Sequence, residues 1–196
     1  MSSKTDIFNM ALMELGISSP ITNATINTDN KAIILNNFYE VAVEDVLKAF
    51  DWNFGEKLKE LSLSGDTSLD PNFLYCFDYP TDCLSARDCF EKGNKLRKKF
   101  KLSANEQGAR VILTNVNPCI LRYTRKITNE AYFTSEFSSA LALYLASLAG
   151  MALTGSEQKA NIALKKYSER IRMSKVVNAT EGDEVDEDDK TYIDYR

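Results

Sequence analysis

From Phe137 to Ser156 the chain carries no charged residue, and small side chains crowd the stretch: Ala140, Ala142, Ala146, Ser147, Ala149, Gly150 and Ala152. Leu141, Leu143, Tyr144, Leu145, Leu148, Met151 and Leu153 lie between them. A helix that is apolar nearly all round must be buried nearly all round, inside a bundle or across a membrane. A span needs about 20 predominantly apolar residues. Here Ser138, Ser139, Ser147, Thr154 and Ser156 shorten the strongly apolar part, and no aromatic belt with flanking Lys or Arg brackets both ends. Small residues also suit close helix packing in lipid, but the expectation is a central core helix and no membrane.

The other helices have one-sided patterns. Thr5 to Leu15 reads as a first helix with Ile7, Met10, Ala11 and Leu15 on one face and Gly16 at its C-terminal stop. After a polar loop, Asp29 or Asn30 caps a second helix running to about Phe50, with the stripe Leu35, Phe38, Tyr39, Ala42, Val43, Val46, Ala49 and Phe50. Trp52 and Phe54 fill the corner after it. Ser156 caps a last helix through about Val177, with Ala160, Ala163, Leu164, Tyr167, Ile171 and Ser174 inside and Lys159, Lys165, Lys166, Arg170, Arg172 and Lys175 outside.

Between Lys57 and Lys126 the period shifts toward two. Strands are predicted near Glu60, over Leu84–Phe90, Leu96–Leu102, Val111–Leu113 and Ile120–Arg125, with hairpin turns at Lys92-Gly93-Asn94 and Asn115–Pro118. The run Phe73–Leu84 reads as an aromatic stretch ended by Pro80. Helices, then strands, then helices make an α+β protein, mainly α. The expected fold is a four-helix bundle (1–53 and 130–179) with one small antiparallel sheet inserted between helices 2 and 3 (54–129), and an acidic C-terminal arm (180–196). The expected bundle core is Leu35, Phe38, Ala42, Val46, Trp52, Leu141, Leu145, Leu148, Leu164, Tyr167 and Ile171.

Composition narrows the chemistry. The chain has no histidine, so neither a Ser-His-Asp nor a Cys-His nucleophile nor a His-Glu-x-x-His zinc site can be built. Cys76, Cys83, Cys89 and Cys119 form no Cys-x-x-Cys pair, which speaks against structural zinc and for ordinary buried thiols. Disulfides are not expected in a reducing cytosol. The glycines make no phosphate-binding loop. Paired carboxylates remain for acid–base work, but nothing singles out a pair, so no catalytic residue, metal or cofactor is expected. Lys4 and Asp6 interrupt the start before any long apolar run, so synthesis in the cytoplasm is expected. Thr180 to Arg196 holds eight carboxylates against two cations, net −6; with a total of −4, the first 179 residues carry +2.

Four segments share an order found elsewhere: Asn9-Met10-Ala11-Leu12-Met13-Glu14-Leu15-Gly16; Tyr39 through Phe54, where a helix ending in Val-Leu is followed by Trp-Asn-Phe; Tyr79-Pro80-Thr81-Asp82-Cys83-Leu84; and Tyr132-Phe133 through Gly155, an Ala-Leu-rich helix ending in Leu-Thr-Gly. In this order they resemble the head-to-tail adaptor proteins of short-tailed bacteriophages, the tail tubular protein A family. Its patterns are Asn-x-Ala-Leu-x-x-Leu-Gly at the start and Tyr-x-x-Pro-x-Asp-Cys-Leu at a strand entry, here with a shorter gap before the proline. No single motif is specific; the ordered set carries the likeness. Glu136 stands where the family often has proline, and Glu181–Asp189 matches no motif. The resemblance implies a non-enzymatic virion protein at the neck, forming a homo-oligomeric ring, usually of twelve copies. It implies as partners the portal on one side and the tail nozzle or a second ring protein on the other. Double-stranded DNA would pass through the channel without specific binding. A different neck ring is a second reading in the same setting.

Two charged features admit more than one reading. Lys92, Lys95, Arg97, Lys98, Lys99 and Lys101 cluster on the expected hairpin 92–101: they protect a sheet edge, meet a neighbouring subunit, or bind nucleic acid as in a small cytosolic DNA- or RNA-binding protein. The acidic tail is either a solvated segment or an arm whose end, Thr191, Tyr192, Ile193, Asp194, Tyr195 and Arg196, docks on the portal or a neighbour. Glu40, Glu44, Asp45 and Asp51 are candidate counterparts for the basic face of the last helix.

Overall fold

Ser3 opens helix α1 (Lys4–Glu14) with a reciprocal cap: its hydroxyl accepts the Asp6 N–H, and the Asp6 carboxylate accepts the Ser3 N–H at 2.9 Å. The computed structural model describes residues 3–26, 29–65, 68 and 70–181. Past the C-cap Leu15, Gly16 takes the left-handed conformation (φ 73°) that ends the helix. The Asp29 side chain caps α2 (Asn30–Ala49), and Thr134 caps α3 (Ser135–Thr154). Gly155 (φ 65°) stops α3 and turns the chain directly into α4 (Glu157–Glu181).

Helix α3 is the hub, packed on α1, α2 and α4. Being enclosed by three helices explains its lack of a polar face: Phe137, Leu141, Leu145, Ala146, Ala149 and Gly150 are all buried. Among the described residues α3 is the one helix long and apolar enough to cross a membrane. Its small residues let neighbours approach closely, and Gly150 faces Ala160 of α4.

The strands overturn the expectation of one small insert and of a mainly α fold. Between α2 and α3 lie β1 (Glu56–Glu60), β2 (Tyr75–Asp78), β3 (Cys83–Glu91), β4 (Arg97–Lys98), β5 (Phe100–Ala104), β6 (Arg110–Thr114) and β7 (Cys119–Arg125). They form two antiparallel sheets, β1-β7-β3-β4 and β2-β6-β5. Cys89, Cys119, Leu121 and Tyr123 of the first sheet meet Phe77 and Ile112 of the second in a core of their own. The correction has a physical cause. The chain passes from the first sheet into the second at two places, and each of these transfers breaks the two-residue alternation. Leu61 donates its N–H to the Cys119 carbonyl of the first sheet, and Leu63, two residues on, bridges Phe77 of the second. Arg97 and Lys98 pair with β3, yet Phe100 already pairs with β6, so the predicted strand Leu96–Leu102 is two strands in different sheets. The aromatic run Phe73–Leu84, to which no strand is assigned from the sequence, contains β2.

The helical core contains Leu35, Ala42, Val46, Trp52, Leu141, Leu145 and Ile171, with Phe38, Leu148 and Tyr167 half-buried against it. Leu164 is corrected: it is 44% exposed. Helix α4 packs mainly on α3, so among the described residues the covered stripe is narrow, with Ala163, Ile171 and Ser174 buried and Leu164 at its margin.

Aromatic rings close the helical core where the chain leaves α2 for β1. Trp52, 4% exposed, meets Phe50 edge-on at 4.9 Å and Phe137 at 5.2 Å, and Phe133 lies 4.5 Å from Phe137. The indole N–H donates to the Val46 carbonyl at 2.8 Å, satisfying a carbonyl in the last turn of α2.

Candidate interaction surfaces

The basic segment is not one patch. Because the chain changes sheets at Lys99, Arg97 and Lys98 belong to the first sheet and Lys101 to the second. Several of its cations already have carboxylates of their own chain: Lys92 with Glu60 at 2.9 Å, Arg97 with Asp88 at 3.3 Å, Lys98 with Glu91 at 3.5 Å and Lys101 with Asp70 at 2.8 Å. Lys95 and Lys99 are exposed. Exposed pairs of this kind are individually weak, but each lowers the positive potential on which phosphate binding depends.

The α2 carboxylates are likewise engaged at home. Glu44 bonds Lys126 at 2.8 Å, which together with Lys48 holds its carboxyl below the ordinary range. Asp45 accepts the Tyr144 hydroxyl at 3.1 Å, and Asp51, just past the helix, contacts Arg87 at 2.9 Å. Glu40 faces a groove of about 240 Å³ between α2 and the segment 126–133, floored by Val43, Leu47 and Phe133. At its rim Tyr39 donates to Glu130 at 3.0 Å; burial first, then the Glu130 charge, pushes this phenol far above its ordinary range. Lys4 lies 4.4 Å over the Tyr39 ring.

The basic face of α4 has two parts. Lys159 donates to the Leu15 carbonyl at 2.8 Å, and Lys166 pairs with Glu14 at 2.7 Å. These contacts fasten the C-terminal end of α1, where cations offset the helix dipole. Lys165, Arg170, Arg172 and Lys175 are exposed. The candidate docking arm Thr191–Arg196 lies outside the described residues.

Two polar joints at the first sheet were not singled out from the sequence. Asp82 accepts Lys57 at 2.7 Å and the Tyr123 hydroxyl at 2.8 Å, while its backbone carbonyl accepts the Lys126 N–H at 2.7 Å. Arg87, whose side chain is 8% exposed, bridges Asp51, Glu56 and the Thr124 hydroxyl. The position of Asp82 inside one of the four motifs was its only signal; Arg87 had none, because its partners are distant in sequence.

On the outer face of the second sheet, Cys76, Val111 and Leu113 floor a cleft of about 680 Å³ rimmed by Asp70, Ser103 and Glu106. Between the sheets the sulfurs of Cys89 and Cys119 touch at 2.6 Å. Among the described residues no group of three or more His, Cys, Asp or Glu side chains is placed to hold a metal ion. The arrangement as a whole offers outer surfaces of mixed charge around two buried cores. No protein-family model matches the chain, and no curated protein matches it.

Proposed function

We propose that the chain is a structural subunit of a head-to-tail adaptor ring in a short-tailed bacteriophage, seated between portal and tail and enclosing the channel for double-stranded DNA. One observation carries the reading: the motif residues of the resemblance fall at joints of the fold. Asn9 clamps the loop after α1, accepting the Ile21 N–H at 2.7 Å and donating to its carbonyl at 3.0 Å. Gly16 ends α1, Trp52 locks the corner between bundle and sheets, Asp82 ties β7 and Lys57 to the β3 entry, and Gly155 turns α3 into α4. Residues that fix angles between elements are what a ring needs, since small angular errors accumulate from copy to copy until the ring fails to close.

In this reading the protein works mechanically. The core helices hold each copy rigid. The outer faces of α4 and the sheets meet neighbours through complementary, head-to-tail contacts. The C-terminal segment reaches the portal or the next copy. The nucleic-acid-binding alternative is less well supported, because the basic segment is divided between sheets and partly neutralised by Glu60, Asp88, Glu91 and Asp70.

Electron microscopy of the purified protein mixed with its candidate portal tests the reading. Rings seated on the portal are expected, and a chain lacking 191–196 should fold yet fail to attach. A protein that stays monomeric with the portal but binds duplex DNA in a salt-dependent way would overturn it in favour of the alternative.

A further inference from the structure

Cys89 and Cys119 lie on neighbouring central strands of the first sheet. Cys89 is paired with Leu121 and Cys119 with Glu91, which makes the cysteines diagonal neighbours on the face turned toward the second sheet. Both are fully buried, their sulfurs are in contact, and the two strands are held in register by the ladder between them. Cys76 packs on the far side of the second sheet with Val111 and Leu113, and Cys83 lies in the core between the sheets. We propose that Cys89 and Cys119 are a modification site, a dithiol that a peroxide oxidises to a disulfide stapling β3 to β7.

The step balances. The two sulfurs share one hydrogen bond; that bond and burial hold the Cys119 thiol well above the ordinary range, while the same bond lowers the Cys89 thiol, so Cys89 ionises first. Its thiolate attacks one peroxide oxygen and the O–O bond breaks. This leaves a sulfenic acid on Cys89 and a hydroxide that is protonated to water. The Cys119 sulfur then loses its proton and attacks the Cys89 sulfur. The S–O bond breaks, the S–S bond forms, and the departing hydroxide takes up that proton as a second water. Two thiols and one peroxide give one disulfide and two waters. With both sulfurs buried, peroxide reaches them through local opening, so the reaction is slow. The setting rests on the virion reading: a chain made in a reducing cytoplasm leaves it inside the released particle, where thiols are no longer kept reduced.

Two samples test this. In the first, the reduced full-length protein is exposed to hydrogen peroxide and examined by intact mass and non-reducing peptide mapping. Loss of two hydrogen atoms, a linked peptide pair containing Cys89 and Cys119, and a melting temperature raised by about 5–10 °C and restored by reductant are expected. Cys89→Ala and Cys119→Ala should each abolish the linkage, but the wild-type mapping decides without them. Retention of all four thiols, a link through Cys76 or Cys83, or addition of oxygen without a link would overturn the proposal. The second sample is the protein recovered from purified phage particles under alkylating conditions. A Cys89–Cys119 link supports the proposal, and four alkylated cysteines there refute its occurrence in the virion. Absence of the chain from particles refutes the ring reading and leaves the first sample to decide the chemistry.

Discussion

Gly150 of α3 and Ala160 of α4 approach so closely that a Cβ built on Gly150 would lie 2.9 Å from the Ala160 Cβ and 3.0 Å from its Cα, with Leu15 Cδ2 at 3.2 Å. Backbone on one side leaves little room to give. Gly150→Ala should therefore destabilise the fold by about 1–3 kcal/mol, although alanine is the better helix former by about 1 kcal/mol. Urea unfolding of the variant decides: a midpoint at or above that of the wild type would mean that the α3–α4 contact is looser than the geometry states.

Trp52 is the only tryptophan, and it is buried in the helical core where the chain leaves α2 for β1. Trp52→Ala removes a buried ring and leaves the Val46 carbonyl without its donor, a loss of about 3–5 kcal/mol. Trp52→Phe keeps most of the packing and loses the hydrogen bond, about 1–2 kcal/mol. Thermal melts of the pair separate ring from bond. Native fluorescence should be blue-shifted, and red-shift in a single step if bundle and sheets unfold together; separate fluorescence and circular dichroism transitions would show that the joint does not couple them.

What the sequence made legible follows from physical range. Helices declare themselves through caps and stops within a few residues, as at Asp29 and Gly16, and through stripes that one neighbouring element covers. Leu164 was misread because the pattern shows which side of a helix is apolar but not how wide its partner is. The sheets were misread because strands of two to five residues offer few alternations, and because transfers at Leu61–Leu63 and Lys99 break the period where it is needed most. Of the candidate surfaces, the sequence located the charges but not their partners: Lys101 and Asp70 are 31 residues apart, and Lys126 and Glu44 are 82 apart.

Asn9 offers a direct test of a motif residue. Its amide holds both backbone groups of Ile21, which is itself buried. Asn9→Ala leaves both without their partner and should cost about 1–3 kcal/mol. Asn9→Asp keeps the acceptor and loses the donor, and so should cost less at neutral pH. Hydrogen exchange at Ile21 reads the clamp directly; unchanged protection in Asn9→Ala would remove Asn9 from the set of joint-fixing residues.

The joint at Asp82 contributes to the acid limit of the fold. Burial alone would raise this carboxyl, but Lys57 and Tyr123 together outweigh burial and bring it below the ordinary value. Lys126 does the same for Glu44, and Lys101 with Asn72 draws Asp70 down to about 2. For a carboxylate depressed on folding, the contribution is complete above the unfolded value, about 4, and is lost as pH falls through the folded one. Stability should thus be level above about pH 5 and fall between roughly pH 4 and 2. Asp82→Asn removes a proton-binding site that is ionised in the folded state, so it should lower stability at pH 7 and make the acid limb shallower. Denaturant midpoints measured from pH 7 to 2 for both proteins carry the test. Parallel curves would mean that Lys57 and Tyr123 do not hold Asp82 ionised, and the acid limb would then belong to Glu44 and Asp70 on the other ion pairs.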